Sequence, residues 1–225
     1  MSNFILAGLF TEGNTDVRFL TSIVERTLLE IAFECTGEIE IKLEIIDFEK
    51  RKMGFVDQIL EASKIGFEKY SMSILFVHTD SDGLNDNLVF DSKIIPAQRI
   101  LSTKENLDFC KHMIAIVPVQ MTESWMLADS QLIKEEIGIY NTDGELGLNF
   151  NPETITNPKR LIQDIIRLSK ADLTKRRRGK GLDIAELYQI VGQKIELNKL
   201  NKLASYSKFK KSLIEKLREL NFYHK

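Results

Sequence analysis

Acidic residues stand directly after several apolar runs of this sequence. Asp80-Ser81-Asp82-Gly83 follows the apolar run 72–77, and Glu12-Gly13 follows the run 3–10. Two carboxylates separated by one residue can approach the same ion as the chain leaves a strand, and hard oxygen ligands suit Mg²⁺ or Mn²⁺. Such paired carboxylates repel each other unless a cation or a proton offsets their charge. The spacing therefore predicts a divalent-metal site, with a ligand-free Asp/Gly turn as the alternative.

Further acids extend this candidate site. Asp16 lies four residues after Glu12, in the first turn of a predicted helix, where an acid also favours the helix macrodipole without any ligand. Glu12 has no such role and is better explained as a metal ligand or general base. Glu123 follows another apolar run and is either a ligand or an acid at a helix start. The core of the candidate site is thus Glu12, Asp80 and Asp82, with Asp16 and Glu123 as further candidates.

Two neighbouring residues are left out of the predicted site. His78 stands at the end of a buried run and is interpreted as a packed, hydrogen-bonded residue, although it could also orient a ligand or carry a proton. Trp125 could stack a nucleic-acid base, but the spacing of Trp125-Met126-Leu127-Ala128 is more typical of a helix in the core.

The elements that position these residues alternate between strands and helices. Apolar runs predict strands at 3–10, 38–48, 72–77 and 113–119, and helical spacing predicts helices between 14 and 37, over 54–70 and within 91–107. The run 38–48 alternates apolar and charged residues, which is typical of an edge strand. This order predicts a Rossmann-like, mostly parallel α/β sheet flanked by helices. Ligands collect at the carboxyl ends of such strands, where the acids stand.

The last third of the chain has a different pattern. From Pro158 onward the strand signals disappear, and helical spacing covers 161–168, 184–191 and 209–220. We therefore expect an α/β domain over residues 1–135, a connecting segment over 136–157 and a basic, helical C-terminal appendage over 158–225.

The net charge of −2 conceals a division between these parts. Residues 1–157 hold 13 Lys and Arg against 26 Asp and Glu, whereas residues 158–225 hold 18 against 7, so the net charges are −13 and +11. Such a division predicts a basic surface that holds a polyanion near an acidic centre, or two oppositely charged surfaces that pack on each other. The nucleic-acid-binding residues predicted from the basic run, which could also be a solvated loop, are Lys175, Arg176, Arg177, Arg178 and Lys180.

Composition excludes several classes of protein. The longest apolar runs are far shorter than the ~20 residues that a membrane-spanning helix needs, and the N-terminus lacks the basic region of a signal peptide. We expect a cytoplasmic protein that does not bind membranes. Cys35 and Cys110 have no metal-type spacing and are interpreted as reduced thiols.

The acidic motifs carry a resemblance to a known family. Thr11-Glu12-Gly13-Asn14-Thr15-Asp16 together with Asp80-Ser81-Asp82 resembles the TOPRIM domain of topoisomerases, primases and OLD-family nucleases. With Val117-Pro118 and the segment 123–129, the pattern also resembles small standalone bacterial TOPRIM-like proteins, over about residues 3–130. The resemblance implies a site for Mg²⁺ or Mn²⁺ and phosphodiester cleavage or transfer, in a setting of bacterial defence or mobile-element conflict. It implies that the catalytic core acids are Glu12, Asp80 and Asp82, and that Asp16 and Glu123 complete a second metal position, so that the metal ligands are Glu12, Asp16, Asp80, Asp82 and Glu123. It also implies a separately encoded ATPase as a protein partner.

Three functions remain open at this point. The first is a metal-dependent TOPRIM-type nuclease that hydrolyses DNA or RNA. The second is a non-catalytic TOPRIM-like module or accessory subunit that binds nucleic acid or another polyanion. The third is a nucleotidyl- or glycosyltransferase that uses Asp80-Ser81-Asp82 to hold the metal of a nucleotide, in which Glu12 would have little role. The sequence does not indicate an oligomeric state.

Overall fold

Four parallel strands form the centre of the molecule. The computed structural model describes residues 3–35, 37–50, 52–104, 108–171 and 182–223. Its strands are β1 (Asn3–Thr11), β2 (Ile39–Ile45), β3 (Ile74–His78) and β4 (Met113–Ile116). Their order is β2-β1-β3-β4, and each neighbouring pair is parallel. The predicted Rossmann-like parallel sheet is confirmed, and β2 lies at its edge as predicted.

Helices connect and flank the strands. The first half of the chain contains α1 (Asp16–Ala32), α2 (Phe55–Tyr70), α3 (Asn87–Val89), a π-helical turn (Phe90–Ile94) and α4 (Ile95–Thr103). After β4 come α5 (Thr122–Met126), α6 (Ser130–Ile137), α7 (Asp143–Leu146) and a 3₁₀ turn (Pro152–Thr154). The described C-terminal helices are α8 (Pro158–Ala171), α9 (Ile184–Lys194), α10 (Leu197–Leu200) and α11 (Ala204–Glu219). None of the helices in the described ranges is long and apolar enough to cross a membrane.

Alternate residues of the strands enter two separate cores. Phe76 of β3 faces α1 and the C-terminal helices, and its ring centroid lies 6.0 Å from that of Phe209 in α11. Its neighbours Leu75 and Val77 face α2 and α4, where they pack with residues such as Ile59. Both faces of β3 are therefore buried, which explains why its sequence is apolar up to His78.

The chain reverses its direction across the sheet at β1. It passes from β1 through α1 to β2 on one side, then returns through α2 to β3 on the other side of β1. In open α/β sheets a crevice forms outside the carboxyl ends of the strands where the winding reverses. Glu12 follows β1 and Asp80 follows β3, so the topology brings both acids to this crevice.

The C-terminal helices share one core with the sheet. Trp125 of α5 is fully buried, donates its indole N–H to Ser205 Oγ at 2.7 Å and packs edge-on against Tyr206. Its interpretation as a core residue is confirmed. The boundaries at 135 and 158 stay a prediction, but residues on both sides of them belong to the same hydrophobic cluster.

Several element boundaries differ from those predicted. β4 ends at Ile116 rather than 119, because the following segment turns to the loop after β3, where Ser81 donates its N–H to the carbonyl of Pro118 at 3.1 Å. The helix predicted within 91–107 begins earlier, with α3 and the π-helical turn.

The two cysteines lie in different surroundings. Cys110 is buried, and the Cys35 thiol lies 3.4 Å from the carbonyl oxygen of Ile31.

Candidate functional site

Glu12 lies at the carboxyl end of β1, next to the end of β3. Its Oε2 accepts a hydrogen bond from the Thr79 hydroxyl at 2.5 Å and lies 3.3 Å from the Lys93 ammonium. The Glu12 side chain is 51% exposed, so this carboxylate faces the crevice although the Thr79 hydroxyl holds one of its oxygens. Because Thr79 directly precedes Asp80, the hydrogen bond links Glu12 to Asp80, two of the three predicted catalytic acids, through one residue.

Lys93 reaches this carboxylate from the π-helical turn. Its ammonium is 3.0 Å from the Thr79 hydroxyl and 4.9 Å from the centroid of the Phe55 ring. Single π-helical turns inside helices are rare and often occur at functional sites, because the extra residue redirects a side chain. A second lysine, Lys50, donates to the carbonyl oxygen of Thr11 at 2.6 Å. Two ammonium groups thus lie beside the end of β1.

His78 connects Asp80 to α5. Its ring is fully buried, and Nε2 lies 3.0 Å from the Thr122 hydroxyl and 3.3 Å from Asp80 Oδ1. The same Asp80 oxygen accepts the backbone N–H of Thr122 at 2.9 Å. Burial alone lowers the pKa of His78, but the hydrogen bond to Asp80 and the nearby carboxylates outweigh it and raise that pKa.

Asp16 lies on the other side of the His78 ring. Its Oδ2 is 4.0 Å from His78 Nδ1, which is buried and makes no hydrogen bond within the described ranges. A Cβ at Gly13 would approach this Oδ2 to 2.5 Å, so glycine at this turn leaves room for the carboxylate. Burial raises the pKa of Asp16, opposed by His78 and reinforced by the charges of Asp80 and Glu123. Asp16 is therefore a buried acid whose pKa lies above its usual value.

Asp82 lies in the turn after β3. Its φ of 50° is left-handed, a conformation that aspartate tolerates better than most residues, and its N–H donates to the carbonyl of Gln120 at 2.9 Å. The Ser81 hydroxyl accepts the N–H of Gln120 at 2.9 Å, so two loops are held together. The Asp82 carboxylate is exposed and makes no hydrogen bond or ion pair within the described residues.

Glu123 is joined to the C-terminal helices. It is 3% exposed, and its Oε1 accepts a short hydrogen bond from the Tyr188 hydroxyl and lies 3.4 Å from the Lys159 ammonium. Burial and the Glu123 charge raise the pKa of Tyr188 well above its usual range, so the phenol remains a donor. Glu123 lies close enough to Asp16 to affect its pKa, but its direct partners are Tyr188 and Lys159.

Only part of the predicted basic surface can be located. Lys175, Arg176, Arg177, Arg178 and Lys180 lie outside the described residues. Other C-terminal lysines pair with acids of residues 1–157: Lys194 with Glu136, Lys208 with Asp86 and Lys210 with Glu30, at 2.6, 2.7 and 2.9 Å. These contacts agree with the alternative interpretation of the charge division, in which oppositely charged surfaces pack together.

Sequence reasoning missed several residues that hold the site together. Thr79 directly precedes Asp80, and Thr122 directly precedes Glu123. Their position next to predicted site acids is a signal that could have identified them as hydrogen-bond donors of the site. Lys93, Lys159 and Tyr188 have no local signal, because their contacts to Glu12 and Glu123 cross long separations in the chain.

Comparison with models of known families, with curated proteins and with solved structures finds no match for this chain. The TOPRIM resemblance therefore stays a prediction from the motifs.

The donor chemistry of the site fits a divalent cation, and its present arrangement limits how one could bind. Glu12, Asp80 and Asp82 offer hard carboxylate oxygens of the kind that Mg²⁺ and Mn²⁺ prefer. Within the described ranges, however, no three Asp, Glu, His or Cys side chains are grouped closely enough to hold an ion. Binding would require Lys93 to leave Glu12 and the carboxylates to close together.

Proposed function

We propose that the chain is a divalent-metal-dependent phosphodiesterase of the TOPRIM type, a nuclease acting on DNA or RNA. The observation that carries this proposal is the convergence of Glu12 and Asp80 at adjacent strand ends, linked through the Thr79 hydroxyl. The two acids lie at the crevice where the winding of the sheet reverses. An Asp/Gly turn alone would not require a second strand to supply another carboxylate there.

The chain's own residues suit this chemistry. Mg²⁺ or Mn²⁺, held by Glu12, Asp80 and Asp82, would supply charge stabilisation and an activated water. Thr79 orients the Glu12 carboxylate through its hydroxyl. Thr122 holds Oδ1 of Asp80, and among the described residues Oδ2 accepts no hydrogen bond, so it can face a metal ion. Lys93, once released from Glu12, can donate to a phosphate oxygen as negative charge develops there.

The substrate is proposed to be a nucleic acid because three lysines contact residues of the candidate site. Lys50 and Lys93 lie beside β1, and Lys159 reaches Glu123 with 46% of its side chain exposed. The basic segment 175–180 would add phosphate contacts. A role in bacterial defence, with a separately encoded ATPase and a cytoplasmic location, belongs to the same proposal and rests on the resemblance and the sequence.

A metal-dependent cleavage panel tests this function. Purified chain is incubated with single- and double-stranded DNA, RNA and tRNA in Mg²⁺, Mn²⁺ or EDTA. We expect cleavage that EDTA abolishes and that Glu12→Gln and Asp80→Asn each reduce by at least about 100-fold. Glu68→Gln is the matched control, because Glu68 is an exposed acid near the C-terminal end of α2. Equal activity of all variants would contradict the site.

A second candidate is a non-catalytic module that binds a polyanion. It is favoured by the contact between Lys93 and Glu12 and by the lack of a three-acid group within the described ranges. This module would bind nucleic acid equally well in EDTA and cleave none of the panel. That combination would replace the nuclease proposal.

A further inference from the structure

β2 presents an open edge of the sheet. Within the described residues it pairs with β1 and with no other strand. In a parallel ladder alternate residues direct both backbone groups toward the same neighbour, and Ile46 donates its N–H to the carbonyl of Leu9 at 2.9 Å. Even-numbered residues therefore face β1. The odd-numbered residues direct their N–H and C=O groups away from the sheet: Ile39, Ile41, Leu43 and Ile45.

This edge has neither proline nor a bulge, and charged side chains are its one form of protection against pairing. Natural edge strands are blunted by proline, by bulges or by charged side chains, especially lysine. β2 runs for seven residues without proline, and its lysine, Lys42, is already paired with Glu44 of the same strand at 2.7 Å. Beside it lies a groove of about 410 Å³ near the end of α1, where Phe33 and Leu29 are 89% and 48% exposed. The edge combines unpaired backbone groups with apolar surface.

We propose that β2 pairs in antiparallel fashion with β2 of a second copy of this chain, with Leu43 on the two-fold axis. In this register Leu43 exchanges backbone hydrogen bonds with Leu43 of the second copy, and Ile41 does so with Ile45. Lys42 stands directly opposite Glu44 of the second copy. The two in-strand pairs become a group of four alternating charges across the axis.

Charge selects this register over its neighbours. Odd residues must oppose odd residues for their outward backbone groups to meet. Centring the strand on Lys42 would place Lys42 opposite itself and Glu40 opposite Glu44, which are two kinds of like-charge contact. Centring it on Ile41 would place Glu38 opposite Glu44. With Leu43 at the centre, no like charges are directly opposed between residues 38 and 48.

The resulting dimer has a sheet of eight strands. Because the junction is antiparallel, the carboxyl ends of the two four-stranded halves lie at opposite edges. Each crevice with Glu12 and Asp80 remains open and belongs to one chain. The inference is therefore independent of the proposed function, and dimer formation can be measured without any cleavage assay.

Charge reversal tests the interface. Sedimentation or light scattering should give twice the 25.9 kDa mass of the chain for the wild type. Lys42→Glu and Glu44→Lys should each raise the dimer dissociation constant by at least about tenfold, because like charges then oppose each other across the axis. The double variant restores opposite charges and should return within about threefold of wild type. A monomeric wild type, or a double variant weaker than both single variants, would overturn the proposal.

Cysteine cross-linking tests the register. On the two-fold axis, the Cα atoms of Leu43→Cys lie about 5.5 Å apart, within the range of a disulfide. We expect mild oxidation to give a covalent dimer of Leu43→Cys well above the wild-type background from Cys35 and Cys110. Ile41→Cys is the matched control, since residue 41 opposes residue 45 in this register. Cross-linking of Ile41→Cys but not of Leu43→Cys would overturn the register.

Discussion

Tyr188 shows how the C-terminal half reaches the predicted site. Its hydroxyl donates to the Glu123 carboxylate, and both side chains are almost completely buried. A buried carboxylate needs hydrogen-bond donors and positive charge to offset its lost hydration. Glu123 receives one donor from Tyr188 and one ammonium from Lys159. The partners that hold this carboxylate therefore come from beyond position 158.

Removing the Tyr188 hydroxyl should destabilise the fold. Tyr188→Phe keeps the ring but leaves the Glu123 carboxylate without its neutral donor. We expect the free energy of unfolding to fall by about 1.5–3 kcal/mol, the usual range for a hydrogen bond to a charged group. Urea denaturation measures this change. Tyr140→Phe is the control, because Tyr140 is 99% exposed and should change stability by less than about 0.5 kcal/mol. Similar values for the two variants would contradict the role of the buried hydroxyl.

The close packing of α9 on α1 depends on a glycine. A Cβ at Gly192 would lie 2.7 Å from the carbonyl oxygen of Phe19 and 3.0 Å from its Cα. Neither backbone atom can move away independently of α1. Arg26 of α1 also donates to the carbonyl oxygens of Gly192 and Ile195 at 3.0 and 2.6 Å. The backbones of the two helices are thus in direct contact at Gly192 and Phe19, and Arg26 holds them together.

Gly192→Ala should separate these helices. Alanine favours a helix by about 1 kcal/mol over glycine, but the clash with Phe19 should outweigh this gain and lower the free energy of unfolding by about 1–3 kcal/mol. Gly144→Ala is the matched control, since nothing lies within 4 Å of the added Cβ. It should be neutral or slightly stabilising in the same thermal or urea denaturation. A stabilising Gly192→Ala would show that α9 is not held against α1.

The elements were largely predictable because their signals are local. The buried strand β3 has an apolar sequence up to His78, and β2 alternates apolar and charged residues. Winding rules then place Glu12 and Asp80 at one end of the sheet. The partners of these acids were not predictable, because the π-helical turn that carries Lys93 has no sequence pattern of its own. The sequence pattern predicts Tyr188 only as a buried position of a helix. The structure is needed to show that its hydroxyl contacts Glu123.

At the scale of the whole molecule, the division of charge coincides with an internal interface. The acidic residues 1–157 and the basic residues 158–225 meet through ion pairs such as Lys210 with Glu30 and Lys208 with Asp86. Beneath these pairs lies the hydrophobic cluster that joins Phe76 of β3 to Phe209 of α11. Exposed ion pairs contribute little stability, so the shared apolar core determines whether the parts can exist separately.

Residues 1–157 alone should therefore fail to form a native α/β domain. Removing 158–225 would expose the face of the sheet that contains Phe76 and Ile116, together with Trp125, all of which are fully buried in the full chain. We expect the truncated chain to lose its near-ultraviolet circular dichroism and its cooperative thermal unfolding, while retaining helical signal in the far ultraviolet. The full chain, measured in parallel, should unfold in one cooperative transition. A truncated chain that unfolds cooperatively with native-like aromatic signals would show that the C-terminal helices are a separable appendage.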